Sequence, residues 1–314
     1  MNKPPAPEMQ ESVAAVRQSL LLQLYCGGLQ RQYLYLAPHG SRRPLPLVIM
    51  LHGAGDTSRG VLIQTGWAAK AVSEGFAVAC PDAVRPDCAR KPSFLENPQM
   101  WNSGYERSYA FEQGIDDSLF IQAVIDDVSR RTAIDSSRVY VTGFSDGAAM
   151  AFRCALSFPE RLAAAAPVAG HCWLPLEYAS LAARLPLLYI AGSEDPLNPP
   201  AGGMVRAPWG DFVYKPPAMD MLSSWAALNG CSRKPKPRAA GAGVTRLLFG
   251  SSKAGSCVDY YLVSEMGHVW PGGCNRLPPE LAGKDCSAIN ATDLIWKFFS
   301  SHSRAGAACG ALAE

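Results

Sequence analysis

The run Arg138-Val-Tyr-Val-Thr-Gly-Phe-Ser-Asp-Gly-Ala-Ala constrains this chain more than any other stretch. Gly143-Phe144-Ser145-Asp146-Gly147 matches G-x-S-x-G, entered by a β-branched apolar run and left by a helical pattern that starts near Asp146. A serine on so tight a strand-to-helix turn is forced into a strained backbone conformation. The residues two positions before and after it must be small, because side chains there would collide with the flanking strand and helix. In exchange, the hydroxyl is exposed at a helix N-terminus, where negative charge is stabilised. A glycine-rich turn with an incidental serine would carry the same letters. The strand on one side and the helix on the other favour a nucleophile at Ser145.

Around this turn the sequence alternates strands and helices. LLLQLY and QRQYLYLA, separated by Gly27-Gly28, read as a hairpin. LVIML and FAVACP read as buried strands, with a helical pattern near 59–73 between them. Residues 83–113 form a long irregular stretch rich in Pro, Arg, Asn and aromatics. From Ile115 an apolar stripe at helical spacing predicts a helix, with Asp116 and Asp117 at the positive end of its dipole. LAAAAPVAG, PLLYIAG, VTRLLFG and CVDYYLVSE give further strands, and ATDLIWKFFSSH closes the pattern as an amphipathic helix. Asn290 reads as its N-cap, with Asp293 three residues on, in preference to a glycosylation acceptor. SRKPKPR reads as a solvated loop. The alternation implies a mainly parallel sheet covered by helices on both faces. Residues 1–18 are read as a flexible N-terminal arm, 19–303 as a single catalytic domain and 304–314 as a disordered tail.

A net charge of +2 gives no reason to expect nucleic acid as a partner, and no apolar run is long enough to span a bilayer. Cys80 and Cys154 lie in apolar stretches and read as core residues. Cys231, Cys257, Cys274 and Cys286 cluster among loops of the last third, where bridges Cys231–Cys257 and Cys274–Cys286 are possible, although sequence does not fix connectivity. The N-terminus shows no secretory signal. An oxidising compartment, extracellular or periplasmic, follows if those cysteines are bridged, and the cytoplasm otherwise. No cysteine pair has zinc-ribbon spacing, and neither a metal nor another cofactor is expected.

A serine hydroxyl needs a base. On this arrangement of elements the chain order is serine, acid, histidine. His268 follows the strand CVDYYLV in a Gly-His-Val-Trp-Pro-Gly-Gly loop, and His171 is its rival. The acid falls in Ser193-Glu194-Asp195-Pro196 after PLLYIAG, with Asp195 preferred to Glu194. Two backbone N–H groups must receive the developing oxyanion. Asp146, next to the nucleophile, supplies one. His52-Gly53-Ala54-Gly55 supplies the other, from Ala54 or, as second choice, Gly53. Trp101 and Trp270 are expected as aromatic substrate contacts.

LHGAGD, GFSDGAAMAFRCA, AGSEDPLNPPAGG, WAALNGC and GHVWPGG followed by ATDLIWKFF, in this order, resemble the esterase family of polyhydroxybutyrate depolymerases and feruloyl esterases. The similarity covers roughly residues 25–302. It implies the α/β-hydrolase fold, a triad of Ser145, Asp195 and His268, no metal, and a carboxylic ester as substrate, small or oligomeric. Relatives often carry a cysteine where this chain has Ala54, and Asn or Ala where it has Asp146. The expected reaction is hydrolysis of feruloyl, aryl or short hydroxyacyl esters through an acyl-enzyme. The alternatives are a peptidase or amidase of the same fold and a non-catalytic binding protein on a hydrolase scaffold.

Overall fold

The computed structural model describes residues 7–38, 40–41, 43–176, 184–250 and 257–304. In chain order the elements are α1 (Pro7–Arg17), β1 (Leu20–Cys26), β2 (Leu29–Leu36), β3 (Leu45–Leu51), α2 (Ser58–Thr65), α3 (Trp67–Glu74) and β4 (Ala77–Pro81). Next come α4 (Tyr109–Glu112), α5 (Asp117–Arg131), β5 (Ile134–Phe144), α6 (Asp146–Ser157), β6 (Ala164–Val168) and β7 (Leu187–Gly192). A short hairpin, β8 (Gly203–Arg206) and β9 (Phe212–Lys215), precedes α7 (Ala218–Leu228), β10 (Lys236–Arg238), β11 (Val244–Phe249) and β12 (Val258–Val263). The last helices are α8 (Pro279–Ala282) and α9 (Ala291–Ser300).

Ten strands form one sheet in the order β1-β2-β4-β3-β5-β6-β7-β12-β11-β10. The stretch from β4 to β12 is parallel, and antiparallel strands flank it on each side. β3, β4, β6 and β7 are buried along their whole length, as continuous apolar strands must be when helices cover both faces. Alternate residues feed two cores. Ile49, Val141 and Tyr189 pack with α5, α6 and α7, and Val48, Tyr140 and Leu188 pack with α1, α2, α3 and α9. This is the α/β-hydrolase arrangement expected above.

Three local readings change, the first being SRKPKPR, expected as a loop, whose Lys236–Arg238 pairs antiparallel with β11 as the edge strand β10. Residues 7–17, read as part of a loose arm, form α1, because Ala15 and Val16 are buried in the core that α2 and α3 line. The tail read as disordered lies outside the described residues from 305 onward. The helical pattern near 59–73 is two helices, since Gly66 sits between them in the left-handed region at φ 73° and ends the first. Asn290 does cap α9, accepting from the Asp293 N–H at 3.0 Å. Asp116 caps α5, while Asp117 is fully buried in an ion pair with Arg31 at 2.7 Å. Among the described residues no helix is long and apolar enough to cross a membrane.

Cys257 and Cys286 are thiols, so neither expected bridge is closed. Burial pushes the Cys257 thiol up to about 11, with Asp259 and Cys231 adding to the effect.

Candidate active site

Ser145 joins the end of β5 to the start of α6 at φ 58° and ψ −115°, a backbone conformation that L side chains rarely adopt. Its N–H donates to Val168 O at 3.0 Å, and its own carbonyl accepts from Ala148 and Ala149, the first turn of α6. The two flanking glycines are a steric necessity. A Cβ on Gly143 would lie 2.2 Å from Gly147 O, and one on Gly147 would lie 2.2 Å from Leu51 O on β3. The turn is therefore clamped between its own helix and the neighbouring strand.

His268 hangs from the loop after β12. Its Nε2 lies 2.9 Å from Ser145 Oγ and its Nδ1 lies 2.8 Å from Asp195 Oδ2. The other carboxylate oxygen, Asp195 Oδ1, accepts from the N–H groups of Leu197 at 2.8 Å and Asn198 at 2.7 Å. Asn198 Nδ2 in turn donates to Ala169 O, which ties the acid loop to the end of β6. Burial works against ionising Asp195, but His268 and the Asn198 and Leu197 amides together hold its pKa below the ordinary value. Phe144 packs against the His268 ring, tilted by 34° with centroids 4.9 Å apart, and Gly267 lets the loop pass over α8, since a Cβ there would lie 2.1 Å from Ala282 O.

His171 does not reach Ser145 by any hydrogen bond among the described residues. It is buried, and neither ring nitrogen has a partner among them. Among the described residues Glu194 makes no hydrogen bond to His268, whose ring partners are Asp195 and Ser145.

The turn after β3 is held from beneath. His52 Nε2 accepts from the Ala83 N–H at 3.0 Å, so Nδ1 carries the proton and donates to Gly53 O at 2.7 Å. Trp101 Nε1 donates to His52 O at 2.9 Å. These bonds set Gly53 against the serine, 3.3 Å from Ser145 Cβ to an added Cβ, and bring Ala54 to the wall of the cleft. His52 has no role in the sequence reading beyond preceding the serine. Its place directly after an apolar strand was the available signal.

Trp101 and Trp270, expected as aromatic substrate contacts, serve as internal supports instead. Both are buried and line neither cavity at Ser145. Trp101 supports the turn after β3, and its N–H donates to Asp146 Oδ2. Trp270 Nε1 donates to Thr292 on α9.

Two cavities meet at Ser145. The first, of about 80 Å³, is lined by Phe94, Tyr105, Asp146, His171, Trp173, Trp209 and Lys215 together with aliphatic residues of the β8–β9 hairpin. The second, of about 200 Å³, is lined by Gly53, Phe144 and His268, with Asp56, Gln64 and Arg276. Arg276 and Asp56 are ion-paired at its rim. The hairpin is tied to the long 83–113 stretch by Trp209 Nε1 donating to Phe94 O at 3.0 Å and by an exposed Arg107–Asp211 pair. Nothing in the sequence announces this hairpin, because strands of four residues between Gly and Pro give too short an alternation to read.

Residues 38–207 match the phospholipase/carboxylesterase family. The chain belongs to that family. It is a carboxylic ester hydrolase, and the expected resemblance to depolymerases and feruloyl esterases stands. NocK of Nocardia uniformis subsp. tsuyamanensis, a protein named as an esterase, is 27% identical over 266 residues, 81% of this chain and 73% of the relative. Poly(3-hydroxyalkanoate) depolymerase C of Paucimonas lemoignei is 33% identical over 133 residues, 42% of this chain and 30% of the relative. An acetyl xylan esterase from Aspergillus awamori superposes with a TM-score of 0.59 at 17% identity, over 90% of this chain and 99% of that one. That likeness concerns the fold alone.

Proposed function

We propose that Ser145, His268 and Asp195 form the catalytic triad and that the enzyme hydrolyses carboxylic esters of short acyl groups through an acyl-enzyme. The unbroken chain of hydrogen bonds from Asp195 through His268 to Ser145 Oγ carries the reading. Asp195 holds the proton on His268 Nδ1, which leaves Nε2 free to take the proton of Ser145 as Oγ attacks the acyl carbon. The amide N–H groups of Asp146, at the start of α6, and of Ala54 receive the oxyanion, with Gly53 letting the turn approach closely. Protonated His268 then gives its proton to the alcohol oxygen. Water repeats the cycle on the acyl-enzyme and releases the acid.

The general acid decides which cavity takes which half of the substrate. The leaving oxygen must lie beside His268 Nε2, and His268 lines the larger, more polar cavity. The alcohol therefore belongs there and the acyl group in the aromatic one. A cavity of about 80 Å³ holds on the order of six water-sized groups. That favours acetyl to pentanoyl or hydroxybutyryl groups over feruloyl.

The test is a kinetic panel of 4-nitrophenyl acetate, butyrate and octanoate, methyl ferulate, hydroxybutyrate oligomers and a butyryl anilide, beside labelling with a fluorophosphonate. Highest kcat/KM on the short esters, with Ser145 labelled, is the expected result. A faster anilide would indicate an amidase. Folded protein without labelling at Ser145 would indicate a binding role.

A further inference from the structure

The acyl cavity is lined mainly by aromatic and aliphatic side chains, yet Lys215 and His171 also line it, beside Asp146 and Asn198, whose side chains are engaged elsewhere. Lys215, on the inward face of β9, places its Nζ 4.5 Å from the centroid of the Trp173 ring. No carboxylate lies within ion-pair distance of it among the described residues. Asp195 is committed to His268, and Asp146 accepts from Trp101 N–H and Ser103 Oγ. His171 lines the same cavity at 1% exposure, and neither of its ring nitrogens has a hydrogen-bond partner among the described residues. Buried polar groups without partners are uncommon, because each costs about 1–3 kcal/mol when left unsatisfied. His171 is such a group, and the half-buried Lys215 ammonium, lining the same small cavity without a paired carboxylate among the described residues, gives one ligand group the means to engage both.

From this geometry we infer that the acyl cavity selects acyl groups bearing a terminal anion, such as a half-ester of a dicarboxylic acid, with Lys215 as counter-ion and His171 as hydrogen-bond donor to the free carboxylate. The inference rests on the esterase reading above and names the substrate class of that site. Ionisation behaviour agrees with it. Burial pushes Lys215 down to about 8, so an anion in the cavity restores a charge that the protein alone supports poorly. Burial, with Lys215 adding to it, pushes His171 down to about 3, so the ring is neutral and offers one N–H and one lone pair. Trp173 remains beside the ammonium as its cation–π partner, and Phe94, Tyr105 and Trp209 enclose the methylenes.

The experiment measures acid release from the monomethyl esters of succinic, glutaric and adipic acids and from the same esters with the free carboxyl converted to a primary amide. Each pair has nearly one shape and differs in charge. At one or more of the three lengths the acid should exceed its amide in kcat/KM by tenfold or more. Lys215→Met should bring that ratio towards one. A ratio of one or less at all three lengths in the wild type overturns the inference without any variant, as does a preference that Lys215→Met leaves intact. 4-Nitrophenyl acetate separates the two levels of argument. Its turnover without a preference for acid over amide refutes the anion site alone, whereas no turnover of any ester refutes the esterase reading and the anion site with it.

Discussion

The backbone N–H of Trp101 donates to Asp146 Oδ2 at 2.8 Å, and Ser103 Oγ lies 3.1 Å from the other carboxylate oxygen. The residue next to the nucleophile thus uses its side chain to pin the long 83–113 stretch against the start of α6, while its N–H stays available to the oxyanion.

Burial pushes the Asp146 carboxyl up to about 7, against the pull of those two hydrogen bonds. A carboxyl whose folded pKa is raised stabilises the fold below its unfolded value and loses that contribution as pH rises through the folded one. Between pH 4 and 7 the unfolded chain releases this proton and the folded protein keeps it, so wild-type stability falls over that window. Asp146→Asn does not titrate. Its melting temperature relative to wild type should climb from pH 4 to pH 7 and level off above. A difference that is flat or falls over the same range contradicts the assignment.

Ser145→Ala should fold as wild type and lose ester hydrolysis by roughly a millionfold, the scale seen when a serine nucleophile is removed. Retention of more than a few per cent of activity by folded variant would refute the role given to Ser145.

His268→Ala should cost about as much, because nucleophile and base act as a unit. Asp195→Asn should cost less, on the order of 10⁴-fold in kcat, since the change disturbs the tautomer of a base that remains in place. Initial rates on 4-nitrophenyl butyrate decide it, and a Glu194→Gln variant slower than Asp195→Asn would overturn the choice of acid.

Gly147→Ala opposes two effects. Alanine favours a helix over glycine by about 1 kcal/mol, but its Cβ would meet Leu51 O at 2.2 Å. The clash should win, lowering stability by about 3 kcal/mol or more. Urea unfolding measures the balance, and a stabilised variant would mean that α6 sits further from β3.

His171 gives a dependence at the acid end. Its folded pKa, about 3, lies below the ordinary value of 6.5. Stability from a depressed histidine is present above the unfolded pKa and is lost as pH falls from there towards the folded one. Between pH 6.5 and 3 the unfolded chain takes up a proton that the folded protein refuses. His171→Leu should therefore lose less stability per pH unit than wild type, by up to ~1.4 kcal/mol. Parallel slopes in urea titrations at pH 6, 5 and 4 would show that the ring is charged when folded.

Nine strands of the main sheet are legible because their apolar runs are strong, whereas β10, three exposed residues in SRKPKPR, has no apolar pattern and reads as loop. Four all-buried strands read as apolar runs, and Asp195 and His268 follow from chain order once Ser145 stands between strand and helix. What escaped depends on contacts made across the fold. Trp101 and Trp270 looked like pocket walls, since sequence records an aromatic but not the direction it faces. Phe94, Trp173, Trp209 and Lys215 come from three separated segments, and only the folded chain brings them around one cavity. Residues 7–17 are polar enough to resemble an arm, and their buried side chains find partners only when α2 and α3 are in place.

β8 and β9 pair only with each other, outside the ten-stranded sheet. Their inward side chains, Val205, Val213 and Lys215, wall the acyl cavity, while Met204, Phe212 and Tyr214 face outward. Exchanging residues on this ribbon breaks no ladder of the main sheet, and apart from Lys215, whose charge is felt by Asp195, leaves the surroundings of Ser145, Asp195 and His268 in place. Selectivity can therefore drift, in evolution or in a randomised library confined to 203–215, at a pace set by the ribbon alone, with the bond-breaking apparatus inherited unchanged.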